Sequence, residues 1–132
     1  MSDPIKVFAV IVLLSLPTVM FGGFSLLRLL GRGKLTDFQT NWFRAGHAHA
    51  GVLLVMSLAV LDMLARTDSG DGLRWLIGCL LAAGALAQSG GMFVHMAIGR
   101  PGRWSHGNSL TTAGGLALAA GLILTAYAVL AT

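Results

Sequence analysis

Charge is scarce in this chain: Asp, Glu, Lys and Arg together make up 11% of its 132 residues, where a soluble domain carries about a quarter. Hydrophobic residues make up 55%. A chain with so little polar surface cannot cover itself in water, so its solvent is expected to be lipid. Cysteine is almost absent. The lone thiol, Cys79, cannot close an internal disulfide and lies in an apolar run, which reads as a small core residue. No period-two alternation is present, which excludes barrel strands. No linker or low-complexity tail separates a second domain. No basic stretch is interleaved with stacking aromatics, so nucleic acid is not an expected partner despite a net charge of +4. Gly31-Arg-Gly-Lys34 has neither the preceding strand nor the spacing of a phosphate loop. No nucleophile constellation stands out, because Ser57, Ser89 and Ser109 read as hydroxyls bonded to backbone carbonyls.

What remains is four long apolar runs, at about residues 5–30, 45–65, 75–98 and 107–131. Each meets the roughly 20 residues that a helix needs to cross about 30 Å of hydrocarbon. The first is too long for the core of a signal peptide and reads as retained, with a kink expected at Pro17. The fold class is therefore all-α, a four-helix transmembrane bundle forming one domain. The partners expected are the lipid bilayer and either another membrane protein or further copies of the chain.

Lys6, Arg66 and Arg74 fall at the end of the bundle that holds the termini. Arg28, Arg32, Lys34, Arg44, Arg100 and Arg103 fall at the opposite end. The excess of Lys and Arg predicts that the first and third loops are cytoplasmic and both termini outside. Arg outnumbering Lys and the abundant Ala and Gly suggest a GC-rich bacterium, so the membrane expected is a bacterial inner membrane. Trp42, Trp75 and Trp104 lie at span edges, as an aromatic belt requires. Asp62, one turn before Arg66, reads as an i,i+4 pair reaching for the headgroups or as a proton or cation site within the span.

Two passages align at an offset of 68 residues: Gly22-Gly-Phe-Ser-Leu-Leu-Arg-Leu-Leu-Gly-Arg32 over Gly90-Gly-Met-Phe-Val-His-Met-Ala-Ile-Gly-Arg100. They read as a duplicated helical hairpin, and their Gly-Gly pairs, with Gly114-Gly115, as places where backbones approach closely.

The chemistry-bearing residues are the four histidines, His47, His49, His95 and His106. The spans place all of them at one depth, near the cytoplasmic face. His47 and His49 open the second span, two residues and so about 200° apart on an ideal helix. His95 shares a stripe with Gly91, Gln88 and Gly84 that is expected to face inward. His106 opens the fourth span. Three readings stay open. Histidines from two helices could ligate a haem b iron, His47 with His106 or His49 with His95. Three or four could hold copper or zinc, with Met56, Met92 or Met96 available to Cu(I). Or the imidazoles are interfacial hydrogen-bonders holding no ligand. Met56 and Met63 read as packing or lipid contact.

The run Gly46-His-Ala-His-Ala-Gly51 resembles the His-rich helix openings of membrane haem and copper proteins related to haem-copper oxidase subunits. That resemblance implies haem or metal ligation through His47 and His49. Arg44-Ala-Gly-His47 is similar to a stretch at the start of the second helix in the four-span glutathione-dependent enzymes of eicosanoid metabolism, which implies glutathione binding; the Asn and Glu of that pattern are missing here. Two functions are thus expected: haem or metal binding in electron transfer, sensing or cofactor handling, or a non-catalytic membrane subunit or small oligomeric transporter. The orientation has its own test. A periplasmic alkaline phosphatase fused to the C-terminus is expected to be active and a fluorescent protein dark; the reverse pattern would invert the topology.

Overall fold

The computed structural model describes residues 1–131 and consists of four helices: α1 (Asp3–Gly31), α2 (Asp37–Ala65), α3 (Asp71–Ile98) and α4 (His106–Leu130). All four are long and apolar enough to cross a membrane. Their 25 to 29 residues correspond to about 37–44 Å of helix, more than a hydrocarbon core is thick. The ends therefore reach into the headgroup layer, where the caps and charges lie.

Local chemistry sets those ends. Pro4 sits in the first turn of α1, where its missing N–H costs nothing. The chain leaves α1 through Gly33, whose φ of +60° suits glycine. Thr36 and Gln39 then form a capping box: the Gln39 N–H donates to Thr36 Oγ1 (3.2 Å) and the Thr36 N–H to Gln39 Oε1 (3.1 Å). Ser105 and Asn108 cap α4 in the same way. The first of these boxes moves a boundary. The stretch from Asp37 to Arg44 reads as loop by polarity, yet it is the first two turns of α2. His47 and His49 consequently lie almost three turns inside the helix rather than at its opening.

The helices are not arranged with equal neighbours. α2 and α3 lie side by side at the centre, α4 packs on α3, and α1 leans on α2 and α3; no residue of α1 comes within 8 Å (Cα–Cα) of α4. The α3–α4 contact is the closest. Its residues step by four and three along both helices: Ile77, Leu81, Gly84, Gln88, Gly91 and His95 on α3, facing Gly107, Thr111, Gly114, Leu118, Gly121, Thr125 and Ala128 on α4. All are buried except the half-buried Gln88 and Thr111. This is the 3.5-residue period that keeps one seam facing a partner helix. A methyl group at Gly91 would strike the Thr111 backbone and the Gly107 carbonyl. One at Gly107 would strike the backbones of His95 and Gly91, and one at Gly114 the Gln88 nitrogen. Thr111 Oγ1 crosses the seam to donate to the Gln88 carbonyl (3.2 Å). Lipid tails are as apolar as leucine, so this close packing, and not exclusion from water, holds the pair.

The two Gly-Gly passages serve different neighbours. Gly91 meets α4, whereas Gly22 and Gly23 lie under the His47 ring of α2. Between α2 and α3, Gly46 receives the Phe93 ring and the Met92 side chain, 3.1–3.3 Å from where a methyl would stand. An apolar cluster of Ile5, Phe8, Val60, Leu61, Leu64, Ile77, Leu81 and Ala128 fills the terminal end of the bundle. Phe8 seats its ring over Gly78 and meets Trp75 edge-on, centroids 5.3 Å apart. Leu14, Leu27, Leu86, Leu116 and Ile123 are turned outward, as lipid-facing residues should be. So is Cys79, which therefore is not a core residue.

The seam predicts a contrast between adjacent glycines. Gly114→Ala is expected to destabilise the bundle by about 1–3 kcal/mol, the usual cost of overpacking. Gly115→Ala, whose methyl would find only Gln88 Oε1 at 3.9 Å, should stay within about 0.5 kcal/mol of the parent. Unfolding in detergent followed by circular dichroism reads both.

Candidate functional site

The four histidines share one end of the bundle but not one space. His47 lies on the α1 side of α2, its ring across the Gly22–Gly23 backbone; a methyl on Gly23 would stand 2.9 Å from His47 Nε2. The absence of side chains at both glycines makes room for the imidazole. His49 is half-buried, and its Nδ1 lies 2.9 Å from the Ala45 carbonyl oxygen one turn back. A carbonyl only accepts, so Nδ1 carries the proton and Nε2 is left as an acceptor. His106 is exposed at the first position of α4.

His95 is the enclosed one, with 3% of its surface accessible. Its Nδ1 lies 2.7 Å from Ser105 Oγ, which also accepts the Gly107 N–H at the start of α4 (3.1 Å). The Trp42 and Phe38 rings meet the imidazole edge-on, at centroid distances of 4.3 and 5.4 Å. Both aromatics come from the two turns of α2 that polarity alone assigns to a loop. Trp42 therefore packs inward on His95 instead of lying in an interfacial belt, while Trp75 and Trp104 are exposed as a belt requires. Ser105 joins three elements: it caps α4, ends the loop and holds the last turns of α3.

The expectation of a shared imidazole site does not fit this arrangement. Among the described residues, no group of three or more His, Cys, Asp or Glu side chains is placed to hold a metal ion. His47 and His106 do not form an axial pair: His47 faces α1, His106 faces solvent or headgroups, and α1 and α4 do not touch. His49 and His95 belong to the helices that Gly46 packs tightly together through Phe93 and Met92, and a macrocycle there would have to part them. Met56 packs against the apolar cluster and Met63 is exposed. The inward stripe of Gly84, Gln88, Gly91 and His95 is present as its spacing predicts, but it faces the α4 backbone rather than a cofactor.

A second feature, which sequence reasoning missed, is a groove between α1, α2 and α3 with a volume of about 440 Å³. Ile11, Val12, Ser15, Thr18 and Val19 form one wall. Ala50, Leu54 and Ser57 form the floor, and Ala82, Ala83, Ala85, Leu86, Ser89, Gly90 and Phe93 the other wall. Small side chains on α2 and α3 make it concave. Its four hydroxyls are already used: Ser15 donates to Ile11 O, Thr18 to Ser15 O, Ser57 to Leu53 O and Ser89 to Ala85 O, at 2.6–2.7 Å. The groove thus offers an occupant apolar contact and no free hydroxyl donor. The spacing of small residues Ala82, Ala83 and Gly90 was visible in the sequence, but their shared azimuth toward α1 needed the packing.

The comparisons with known proteins add no neighbour: no family model, no curated protein and no solved structure matches the chain. Fold and site together define a polytopic four-helix membrane protein and no narrower class.

The Ser105 junction generates a test. Ser105→Ala removes both a cap and the partner of a buried imidazole, and is expected to cost about 0.5–2 kcal/mol. His106→Ala, at an exposed position, should cost under about 0.5 kcal/mol. Thermal unfolding in detergent compares the two.

Proposed function

We propose that the protein is a non-catalytic integral membrane subunit that holds an apolar chain, of a lipid or of a lipid-like molecule, in the groove between α1, α2 and α3. The observation that carries this reading is the satisfied polarity of the groove walls. Every hydroxyl in them donates to its own helix and the remaining lining residues are apolar, so an apolar chain suits the surface. The volume of about 440 Å³ lies within the range of small-molecule sites, about 300–1,000 Å³. An unfilled groove of this size would forfeit dispersion contacts along three helices. The expected setting is a bacterial inner membrane with both termini outside, in keeping with the excess of basic residues at the α1–α2 and α3–α4 loops.

The rival reading is a haem or metal protein. One observation favours it: the His49 Nδ1–H is bonded to a carbonyl, the arrangement that leaves Nε2 free to ligate. One purified sample separates the two. A phospholipid with a photoreactive diazirine in its acyl chain is expected to label the half-buried Leu54 or Phe93 as strongly as the exposed Leu116 on the far face of α4, or more so. Gly90→Leu, at a lining position where an added Cβ meets nothing within 4 Å, should extend into the groove and lower the labelling of Leu54 and Phe93 several-fold while the melting temperature holds. Equal labelling of the parent and Gly90→Leu would remove the groove reading. A Soret band or stoichiometric copper or zinc, lost in His49→Ala, would install the rival.

A further inference from the structure

Every basic side chain at the terminal end of the bundle has an acidic partner. Lys6 pairs with Asp3 (3.4 Å), Arg66 with Asp62 (2.8 Å) and Arg74 with Asp71 (3.6 Å). At the loop end, none of Arg28, Arg32, Lys34, Arg44, Arg100 and Arg103 forms an ion pair among the described residues, and Asp37 is the only carboxylate there. The two ends thus differ in kind: one is neutralised internally, the other leaves its positive charge unanswered.

Within that unanswered charge, Arg100 and Arg103 are held together by their backbone. Arg100-Pro-Gly-Arg103 is a tight turn in which the Arg103 N–H donates to the Arg100 carbonyl (3.1 Å) and Gly102 takes a φ of +70°. Proline before a positive-φ glycine is the sequence chemistry of a type II turn. The two arginines face each other as an antiparallel bridge. Beside them is a concavity of about 250 Å³ lined by Ile98, Gly99, Arg100, Arg103, Trp104 and Ser105. Trp104 is 72% exposed, and its indole N–H is anchored on Ser109 Oγ (2.9 Å). Exposed Trp104 and Ile98 give the concavity an apolar rim on the side of the helices.

We propose that the Arg100–Arg103 turn binds the phosphate of an anionic phospholipid headgroup. The chemistry is complementary on both sides. Two guanidiniums without a carboxylate partner, carried on one four-residue turn, match a phosphate's oxygens with planar forks. The apolar rim suits the first carbons of the acyl chains, which a soluble phosphate lacks. The turn keeps the two backbones in register before binding, so less ordering is required of the site. This site is separate from the groove between α1, α2 and α3 and does not depend on its occupant.

Native mass spectrometry of the purified chain in detergent, with phosphatidylglycerol or phosphatidylcholine added, tests the assignment. The parent is expected to retain phosphatidylglycerol over phosphatidylcholine. Arg100→Gln with Arg103→Gln should weaken that retention by about tenfold or more. Arg66→Gln, which removes a cation from the paired end, should leave it unchanged. Arg100→Lys with Arg103→Lys keeps the charge but loses the planar forks, and should fall between. Melting temperatures equal to that of the parent would show that these exposed substitutions leave the fold intact. Retention of phosphatidylglycerol by the double Gln variant at the parent's level would overturn the proposal. Displacement of the lipid by inorganic phosphate at equal concentration would do so as well, by showing that the apolar rim contributes nothing.

Discussion

The close approach of the α3 and α4 backbones is the constraint on which the rest of this protein depends. In lipid, two apolar helices gain little by touching unless they touch more closely than acyl chains can. Gly84, Gly91, Gly107 and Gly114 permit that approach, and a methyl group at any of them would meet backbone or a branched side chain. The pair then fixes the loop between them. With α3 and α4 in register, His95 reaches Ser105, Ser105 caps α4, and the short connection must turn sharply through Pro101 and Gly102. The enclosed imidazole and the paired arginines both follow from a seam of hydrogen atoms.

The membrane-spanning architecture was legible in the sequence because its signal is a sum over about 20 residues. The inward stripe of Gly84, Gln88, Gly91 and His95 was legible because all four residues lie on one helix, where periodicity gives azimuth directly. The histidine layer was not legible. Depth follows from counting residues along a span, but whether two side chains from different spans meet depends on how each helix is rotated. His47 turns toward α1 because Gly22 and Gly23 leave a hollow there, and His95 turns toward α4. The start of α2 was misplaced for another reason. Asp37 to Arg44 is too polar to register as span, yet the Thr36–Gln39 capping box makes it helix. Those two turns carry Phe38 and Trp42, so the aromatic wall of His95 was hidden with them.

The distribution of ion pairs is a second consequence of small scale. A bundle of this size has almost no polar interior, so its charges must lie at the two ends, and each end can be balanced internally or by its surroundings. Exposed pairs such as Asp62–Arg66 contribute little to stability. Their effect is on net charge: they leave one face near neutral. The other face keeps its cations free, and this difference between faces is more informative about setting than any single pair.

Phe8 sits in the hollow of Gly78 near one end of α1, and His47 lies across Gly22 and Gly23 near the other. Between them runs the groove, and midway along α1 is Pro17, which supplies no backbone N–H to the helix ladder. The first helix is also held between those points, by the buried Val12 and by Val19 against Gly51, so Pro17 lies within a packed stretch. A change of bend at Pro17 would move Ser15, Thr18 and Val19, which form one wall of the groove. The width of the groove is thus tied to the curvature of a single helix.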